Sequence, residues 1–339
     1  MTRFYFDEQS VESIKGETVL DALIRHGHSV TYSCKKGACK TCLVQHVSGY
    51  LPTGAQRGLT TQLKSDAYIC ACLCKPTAGQ KLKSIIAQNL FVSAHIHEKQ
   101  YLSESVVKIL VEPTEEFRHS AGQYINLRRF DGLTRSYSIT NDPDSKLIEL
   151  HIRRKYNGQF SDWLFNHASV GESLLIQGPW GDCCYKASYR NDTLILIGTG
   201  TGLGPVYGIA RDALSQGHKG EIYLYHGARN VADLYHHNKL LKLMLEHRNM
   251  TYLACVDHMD EKAVSSTRVE VGDPFEVAMN MHKMDSQTLP DSPQRIFLCG
   301  EPSFVTKGQQ LIFLNGTPLD RIHALTYDYI DLRLSPREG

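Results

Sequence analysis

The side chains in this sequence with the clearest chemical potential are cysteines at close, regular spacing. Three of them follow a C-x4-C-x2-C pattern: Cys34, Cys39 and Cys42. Gly37 and Ala38 lie within this loop, where small residues let backbone N–H groups come close to a bound group. Thiolates at this spacing, with a distant fourth cysteine, are typical of a 2Fe-2S cluster, whereas zinc sites favour paired C-x2-C motifs. The pattern predicts an electron-carrying iron–sulfur centre, with a zinc site as the alternative.

The fourth thiolate must come from a second group of cysteines at alternate positions: Cys70, Cys72 and Cys74. If this stretch is a strand, all three side chains share one face, so periodicity does not choose among them. The segment resembles the fourth-cysteine signature of ferredoxin domains fused to oxygenase reductases, in which the ligand follows an alanine, as Cys72 follows Ala71. The resemblance implies that Cys72 is the ligand, and it leaves Cys70 and Cys74 as partly buried free thiols.

Length and composition narrow the class of protein. With 339 residues, the chain is long enough for two or three domains with substantial cores. It has no apolar run near the roughly 18 residues of a membrane span, and its first residues lack the apolar segment of a signal peptide. A chain of this length needs no disulfides, so we expect its 10 cysteines to be reduced. We therefore expect a cytoplasmic location. We also expect a monomer.

Charge is unevenly distributed along the chain. Residues 1–90 carry 11 Lys and Arg against 6 Asp and Glu, which leaves 26 against 30 for the remainder. Lys35, Lys36 and Lys40 belong to the cysteine loop itself. These lysines are either part of a solvated basic surface or a docking face for an acidic redox partner. We do not expect nucleic-acid binding, since no basic stripe with interleaved aromatic residues is present.

Hydrophobic patterns divide the chain into three predicted domains: residues 1–90, 91–188 and 189–339. The first contains a strand near Thr2–Phe6, a helix over Val19–His26, the cysteine loop and a strand near Leu43–His46, which is the order of a β-grasp ferredoxin. The second is rich in short strands separated by turn residues, which predicts an antiparallel barrel. Its predicted strands are Val106–Val111, Tyr124–Leu127, Ser136–Thr140, Ile148–Arg153 and Leu174–Gln177.

The third predicted domain alternates apolar strands with helices, which predicts a parallel α/β sheet of the Rossmann type. Its predicted strands are Leu194–Ile197, Ile222–His226, Tyr252–Val256 and Ile296–Cys299. Its predicted helices are Val206–Leu214 and Leu234–His247. The fold class expected for the whole chain is therefore multidomain, with α+β and α/β parts.

Two motifs in the barrel region are similar to flavin-binding segments of the ferredoxin–NADP reductase superfamily. These are Arg135-Ser136-Tyr137-Ser138, like its RxYS motif, and Gly158-Gln159-Phe160-Ser161, like its GxxS segment. The resemblance implies that the arginine neutralises the FAD pyrophosphate, the tyrosine stacks near the isoalloxazine and the serine bonds at its reactive edge. The second motif would open a helix whose N–H groups favour a phosphate. The strand residues His151, Ile152 and Arg153 would also touch FAD.

Two further motifs resemble the nicotinamide-binding elements of the same superfamily. Gly198-Thr199-Gly200-Thr201-Gly202-Leu203-Gly204-Pro205 lies between a predicted strand and helix, where glycines permit close approach to a pyrophosphate. Cys299-Gly300-Glu301-Pro302 resembles the element whose cysteine lies beside the nicotinamide. Tyr327 matches an aromatic residue that covers the flavin. We expect Ser138, Cys299 and Tyr327 to take part in hydride transfer, while Leu325 stands where many members carry an acidic residue.

The resemblance extends over nearly the whole chain. In the order ferredoxin, flavin barrel and nicotinamide domain, the sequence is similar to the single-chain reductase components of bacterial multicomponent oxygenases. This similarity implies electron flow from NADH through FAD to the cluster and on to a separate oxygenase component. After the second strand of the third domain, Arg229 could bind the 2′-phosphate of NADPH, whereas Asp233 is also present there. The resembling oxygenase reductases with a similar Gly-Ala-Arg segment use NADH, so NADH is favoured and NADPH is the alternative. The alternatives are a self-sufficient flavin reductase, a reductase for a deoxysugar dehydratase, and a non-catalytic zinc-binding interaction protein.

Overall fold

The structure is a computed structural model that describes residues 1–85, 90–258, 268–282 and 293–327. The strands of these residues form three sheets that follow one another along the chain. This arrangement confirms the expected fold class, with a ferredoxin-like sheet, an antiparallel barrel sheet and a parallel α/β sheet. Within the described residues, every helix is too short or too polar to cross a membrane.

The first sheet has the strand order β2-β1-β5-β3-β4. Its elements are β1 (Thr2–Phe6), β2 (Gln9–Ser13), α1 (Val19–Arg25), β3 (Leu43–Ser48), α2 (Thr61–Ser65), β4 (Tyr68–Cys70) and β5 (Lys81–Lys83). Helix α1 begins at a capping box, in which the Thr18 hydroxyl accepts from the Asp21 N–H and the Asp21 carboxylate accepts from the Thr18 N–H. Its buried face packs on the sheet, and the cysteine loop emerges between α1 and β3.

The second sheet has the order β10-β7-β6-β11-β8-β9 and is antiparallel throughout. Its elements are β6 (Val92–Tyr101), β7 (Val106–Pro113), β8 (Tyr124–Arg128), β9 (Thr134–Ser138), β10 (Ile148–Arg153), α3 (Ser161–Asn166) and β11 (Ser173–Trp180). A bridge between Ile139 and Leu150 joins the two ends of the sheet and closes the barrel. The sequence analysis missed β6, because a bulge between Ile96 and Glu98 breaks its alternation of buried and exposed residues.

The third sheet has the order β15-β14-β13-β12-β16-β17 and is parallel throughout. Its strands are β12 (Thr193–Thr199), β13 (Ile222–Ala228), β14 (Met250–Val256), β15 (Val269–Val271), β16 (Gln294–Gly300) and β17 (Ile322–Thr326). Its helices are α4 (Leu203–Ser215), α5 (His237–Glu246), α6 (Pro274–His282) and α7 (Pro302–Leu314). The chain order reverses between β12 and β16, so a crevice is expected at their carboxyl ends.

The long helix predicted over Leu234–His247 is shorter than expected. A 3-10 turn covers Val231–Asp233, and α5 begins only at His237. The residue before α5, His236, has a left-handed backbone with φ 64°, which is incompatible with helix continuing through it. The apolar periodicity of the sequence continues across this break and therefore does not reveal it.

The barrel and the α/β sheet pack directly on each other. Val106 and Cys183 of the barrel region belong to the same apolar core as the buried face of α4. An ion pair at 2.9 Å joins Arg211 of α4 to Asp142, in the loop after the barrel strand β9. The carboxyl ends of β12 and β16 therefore face the barrel across a shared core.

Candidate redox site

The cysteine loop folds around its own sulfur atoms. The N–H of Cys39 and the N–H of Lys36 both donate to Cys34 Sγ at 3.3 Å, and the N–H of Cys34 donates to Cys39 Sγ at 3.4 Å. Left-handed backbone at Lys35 and Gly37 makes these bonds possible. The Cys39 thiol and these N–H groups lower the pKa of Cys34 to about 5, although burial opposes the shift. The loop therefore stabilises the thiolate form that binds iron.

The second group of cysteines does not lie along one strand, so the condition for a shared face is not met. Strand β4 ends at Cys70, and the following residues form a turn in which the Leu73 N–H donates to the Cys70 carbonyl at 2.9 Å. The turn directs Cys74 away, where its sulfur accepts from Gln80 Nε2 and donates to the Lys75 carbonyl, each at 3.6 Å.

Two members of that group remain close to the loop. The buried Cys42 thiol lies within hydrogen-bonding distance of both Cys70 and Cys72. Three loop thiols with one of these two form a four-sulfur donor set, which fits a 2Fe-2S cluster. The assignment of Cys72 rather than Cys70 stays a prediction from the resemblance.

The three loop lysines do not form one exposed face, which corrects the expectation. Lys40 is only 7% exposed, and its ammonium donates to the carbonyls of Gly37 and Arg57. Lys35 is largely buried, lies 3.5 Å from the Asp21 carboxylate and sits over the Tyr32 ring. Lys36 is the loop lysine that the structure places in solvent. Of the three, Lys40 supports the loop from inside and does not contribute to a docking surface.

The cysteine loop also contacts the barrel, through side chains that the sequence analysis did not single out. The Tyr124 hydroxyl donates to the Ala38 carbonyl, and Asn126 Nδ2 donates to the Cys39 carbonyl at 2.8 Å. Asn126 Nδ2 also donates to Gln177 Oε1 at 2.8 Å. We call this contact the cluster–barrel junction. The signal available in the sequence was a pair of amides, Asn126 and Gln177, within mainly apolar strands. The structure buries both side chains almost completely.

The flavin motif lies on β9, next to this junction. Asn126 of β8 pairs with Ser136 of β9, and the Ser136 hydroxyl donates to Asn126 Oδ1 at 2.7 Å. Arg135 Nη1 donates to the Thr134 carbonyl at 2.8 Å. Burial raises the pKa of Tyr137, and Ser138 is buried at the end of the strand. The structure therefore places the RxYS-like strand and the cysteine loop on the two sides of Asn126.

The second flavin motif is brought beside the first by aromatic packing. The buried Phe160 ring lies 5.9 Å from the Tyr137 ring and 5.6 Å from Trp163. The Ser161 hydroxyl accepts from the Lys155 N–H at 3.1 Å, and the Gly158 N–H donates to the Lys155 carbonyl at 2.8 Å. The motif thus forms a tight turn before α3, with Gln159 at its tip.

The strand β10 carries the three further predicted flavin contacts, and their side chains have different surroundings. The His151 side chain is fully buried, and its ring nitrogens lie 3.0 Å from Glu149 Oε1 and 3.3 Å from the Tyr235 hydroxyl. Burial alone would raise the pKa of Glu149, but the bond with His151 brings it to about 2. Ile152 is part of the barrel core.

Arg153, the last residue of β10, reaches the α/β sheet. Its guanidinium lies beside Gly200 and 3.9 Å from the Asp233 carboxylate. A flavin contact by His151, Ile152 or Arg153 therefore stays a prediction, whereas their observed side-chain partners lie in the barrel core and the α/β domain.

The two nicotinamide motifs meet at the carboxyl ends of β12 and β16. The glycine-rich turn follows β12, and a Cβ added at Gly202 would lie 2.1 Å from the Cys299 carbonyl oxygen. A Cβ added at Gly300 would lie 2.1 Å from the Thr199 hydroxyl. The two loops therefore touch backbone to backbone, and only glycine allows this approach.

Cys299 is fully buried at this point and lies within hydrogen-bonding distance of Cys183 from the barrel region. This contact and burial raise the pKa of Cys183 well above its usual value. Tyr327 covers both loops, since its N–H donates to the Gly300 carbonyl at 2.9 Å and its hydroxyl donates to the Thr201 carbonyl at 3.4 Å. Leu325 pairs with Cys299 in the sheet and packs on its core.

The remaining predicted positions lie at the same edge of the α/β sheet. Glu301 precedes α7, where its carboxylate accepts from the Ser303 hydroxyl at 2.6 Å, and Pro302 occupies the first turn of that helix. Arg229 is exposed immediately after β13. The structure brings the nicotinamide motifs together here, facing the barrel.

Comparison with known proteins identifies each part of the chain. Residues 6–77 match the family "2Fe-2S iron-sulfur cluster binding domain". Residues 93–185 match "Oxidoreductase FAD-binding domain", and residues 196–310 match "Oxidoreductase NAD-binding domain". These descriptions favour a 2Fe-2S cluster over the zinc alternative, and they confirm FAD and a nicotinamide coenzyme.

Three relatives are similar in sequence over most of this chain. The aromatic O-demethylase reductase subunit of an Amycolatopsis species is 32% identical over 256 residues, covering 72% of this chain and 77% of that protein. The naphthalene 1,2-dioxygenase system reductase component of Pseudomonas putida is 27% identical, covering 86% and 87%. A CDP-6-deoxy-L-threo-D-glycero-4-hexulose-3-dehydrase reductase of Yersinia pestis is 26% identical, covering 88% and 89%.

A solved structure agrees in architecture. The Amycolatopsis cytochrome P450 reductase GcoB superposes with a TM-score of 0.66 at 27% identity, covering 96% of this chain and 98% of that one. The fold described above is therefore shared with that reductase over nearly the whole length of both chains. The chain belongs to the family of iron–sulfur flavoprotein reductases, which are NAD(P)H-dependent oxidoreductases with 2Fe-2S, FAD-binding and NAD-binding domains.

Proposed function

We propose that this protein takes electrons from NADH and delivers them, through FAD and the 2Fe-2S cluster, to a separate acceptor protein that is the terminal component of an oxygenase. The observation that carries the proposal is the cluster–barrel junction, because it holds the loop of Cys34, Cys39 and Cys42 against the strand beside the flavin motif. The names of the Amycolatopsis and Pseudomonas relatives support an oxygenase as the final acceptor.

The order of the three centres follows from electron counting. NADH gives up two electrons together as a hydride, whereas a 2Fe-2S cluster accepts one at a time. FAD supplies the conversion between the two, since a flavin can take both electrons and return them singly. One NADH therefore supports two single-electron reductions of the acceptor, and the hydrogen nucleus of the hydride is released to water as one proton once both electrons have been passed on.

The chain's own residues bind and orient these groups. We assign Arg135 to the FAD pyrophosphate through a charge-assisted bond, with Tyr137 packing near the isoalloxazine and Ser138 near its reactive edge. The paired glycine-rich loops would hold the coenzyme at the carboxyl ends of β12 and β16, with Cys299 and Tyr327 bounding the nicotinamide. Exclusion of water from this contact would favour hydride transfer over side reactions.

Selective removal of the cluster tests the proposed path. Cys39→Ser should retain NADH-dependent reduction of ferricyanide, which needs only FAD, and should lose most reduction of cytochrome c. Both assays are run on the full chain with FAD content measured first. Equal loss of both activities would contradict a linear path from FAD to the cluster, and full retention of both would show that the cluster is bypassed.

We propose NADH as the coenzyme. We assign Asp233, in the 3-10 turn after β13, to the coenzyme ribose, where its carboxylate would accept hydrogen bonds from a 2′-hydroxyl and repel a 2′-phosphate. Arg153 is already paired with Asp233. The exposed Arg229 therefore stays as the candidate for binding the 2′-phosphate of NADPH. The ratio of kcat/KM for NADH and NADPH should favour NADH by more than about tenfold. A preference for NADPH would overturn the assignment.

We propose that the acceptor docks on the basic surface of the first domain around Lys36. The charge excess of residues 1–90 supports an acidic partner, and exposed charges are screened beyond about 8 Å at physiological salt. Lys36→Gln should slow reduction of an acidic oxygenase component by about twofold or more at low salt.

The control for docking is Lys40→Gln, which should instead disturb cluster retention because Lys40 is bound to loop carbonyls. Stopped-flow mixing across a salt series gives the on-rate, and the basic protein cytochrome c serves as an acceptor that the lysine should not attract. An on-rate that is insensitive to salt and to Lys36→Gln would show that this lysine has no role in docking.

A second candidate acceptor is a deoxysugar dehydratase, since the Yersinia relative is named as such a reductase. Purified protein tested with both acceptor classes decides between them. None of the ten cysteines, all of which lie within the described residues, forms a disulfide, which suits a reducing compartment, so we also propose a cytoplasmic location. Domain boundaries near residues 90 and 188 and a monomeric state stay predictions, to be checked by limited proteolysis and sedimentation.

A further inference from the structure

The outer face of the barrel carries a polar row across three adjacent strands. Gln177 of β11, Asn126 of β8 and Ser136 of β9 are direct cross-strand partners. Tyr124 lies two residues before Asn126 and shares its face of β8, while the intervening Ile125 is fully buried in the barrel. The row therefore points out of the barrel, toward the cysteine loop.

The hydrogen bonds of Asn126 determine how its amide is oriented. The Cys39 carbonyl can only accept, so the group facing it must be the amide nitrogen. That nitrogen uses its second hydrogen on Gln177 Oε1, and the amide oxygen accepts from the Ser136 hydroxyl. Asn126 is 0% exposed, so losing a partner would leave a polar group buried and unsatisfied.

We propose that Asn126 is a positioning residue that holds the 2Fe-2S loop against the flavin-binding strand, with Tyr124 as its second contact. This inference rests on the proposed function, because its purpose is to keep the cluster within electron-transfer distance of FAD. Asn126 binds the backbone carbonyl of Cys39, so it positions this cluster ligand without itself contacting the cluster. Ser136 then fixes the amide from the flavin side rather than acting only on the flavin.

The residues that form the cluster–barrel junction are far apart in the sequence. Asn126 lies 87 residues after Cys39 in the chain, and Tyr124 lies 86 residues after Ala38. Sequence proximity does not keep such groups together, so the docked arrangement depends on contacts formed between the two domains. Weakening those contacts should lower the population of the docked state that transfers electrons.

The test compares Asn126→Ala and Tyr124→Phe with the matched control Asn141→Ala. Asn141 is also a buried barrel amide, but its bonds go to the backbone of Leu147 and Glu149, away from the junction. Anaerobic stopped flow with NADH follows flavin bleaching and cluster bleaching in the full chain. The ratio of the cluster rate to the flavin rate should fall about tenfold in Asn126→Ala, which corresponds to about 1.4 kcal/mol, and by less in Tyr124→Phe.

Two further measurements separate positioning from a general loss of structure. Amide hydrogen exchange in the peptide containing residues 34–42 should rise in both junction variants and stay unchanged in Asn141→Ala. The midpoint potential of the cluster should stay at its original value, because the contact reaches a carbonyl and not a sulfur.

The outcomes are distinct. An unchanged rate ratio together with unchanged exchange in Asn126→Ala would overturn the inference, as would equal effects in Asn141→Ala. If NADH fails to reduce the cluster in the unmodified protein, the proposed function is wrong. The exchange measurement then still decides whether Asn126 holds the loop.

Discussion

Cys72→Ser should empty the cluster site, with iron and acid-labile sulfide falling to background while FAD stays bound. A serine hydroxyl is a far weaker ligand than a thiolate for the iron of such a cluster. The buried Cys42 thiol lies beside Cys72, so loss of this ligand opens the donor set at its core. Iron and sulfide analysis of the purified variant, together with its visible spectrum, gives the result.

The neighbouring cysteines supply matched controls in the same turn. Cys74→Ser should retain near-normal iron and sulfide, because the Cys74 thiol is bound to Gln80 and the Lys75 carbonyl rather than facing the loop. Cys70→Ser should also retain them. If Cys70→Ser empties the site and Cys72→Ser does not, Cys70 is the fourth ligand and the assignment drawn from the resemblance is wrong.

Gly202→Ala should abolish most NADH-driven flavin reduction while leaving the cluster in place. Its new Cβ would lie 2.1 Å from the Cys299 carbonyl oxygen, a separation that real structures do not allow. The glycine-rich turn and the Cys299 loop must therefore move apart, and a displacement of about 1 Å at a reacting centre can cost about 100-fold in rate. We expect kcat/KM for NADH to fall by about that factor.

The α/β domain also contains a control for this substitution. Gly308 lies in α7, and its added Cβ would meet only the ends of the Leu298 and Phe275 side chains at 3.0 Å and 3.5 Å. Gly308→Ala should be tolerated, since alanine favours helix more than glycine. Thermal unfolding of both variants shows whether Gly202→Ala folds, and Gly300→Ala should reproduce its loss of NADH reduction. Normal NADH kinetics in Gly202→Ala would contradict the assigned contact.

The sequence by itself indicated the iron–sulfur centre and the order of the domains, and the resemblance of its motifs to a known superfamily implied FAD and a nicotinamide coenzyme. The C-x4-C-x2-C loop, the RxYS-like strand and the glycine-rich turn each consist of residues adjacent in the chain. Backbone geometry within a few residues decides how such motifs present thiolates, a guanidinium or N–H groups, so the motifs are recognisable without the tertiary structure. Strand Ile148–Arg153 and the buried parallel strands were predictable for the same reason, because their side-chain periodicity is local.

Tertiary structure decided the features that depend on distant partners. Lys40 reads as a surface charge in the sequence, but the carbonyls of Gly37 and Arg57 draw its ammonium inward. Cys74 alternates with Cys72, yet the turn after β4 gives it Gln80 as a partner. Asn126 meets Cys39 only because two separately folded sheets pack together. The direction of a long side chain and the contacts between domains depend on residues that are distant in the sequence. Local sequence patterns do not contain this information.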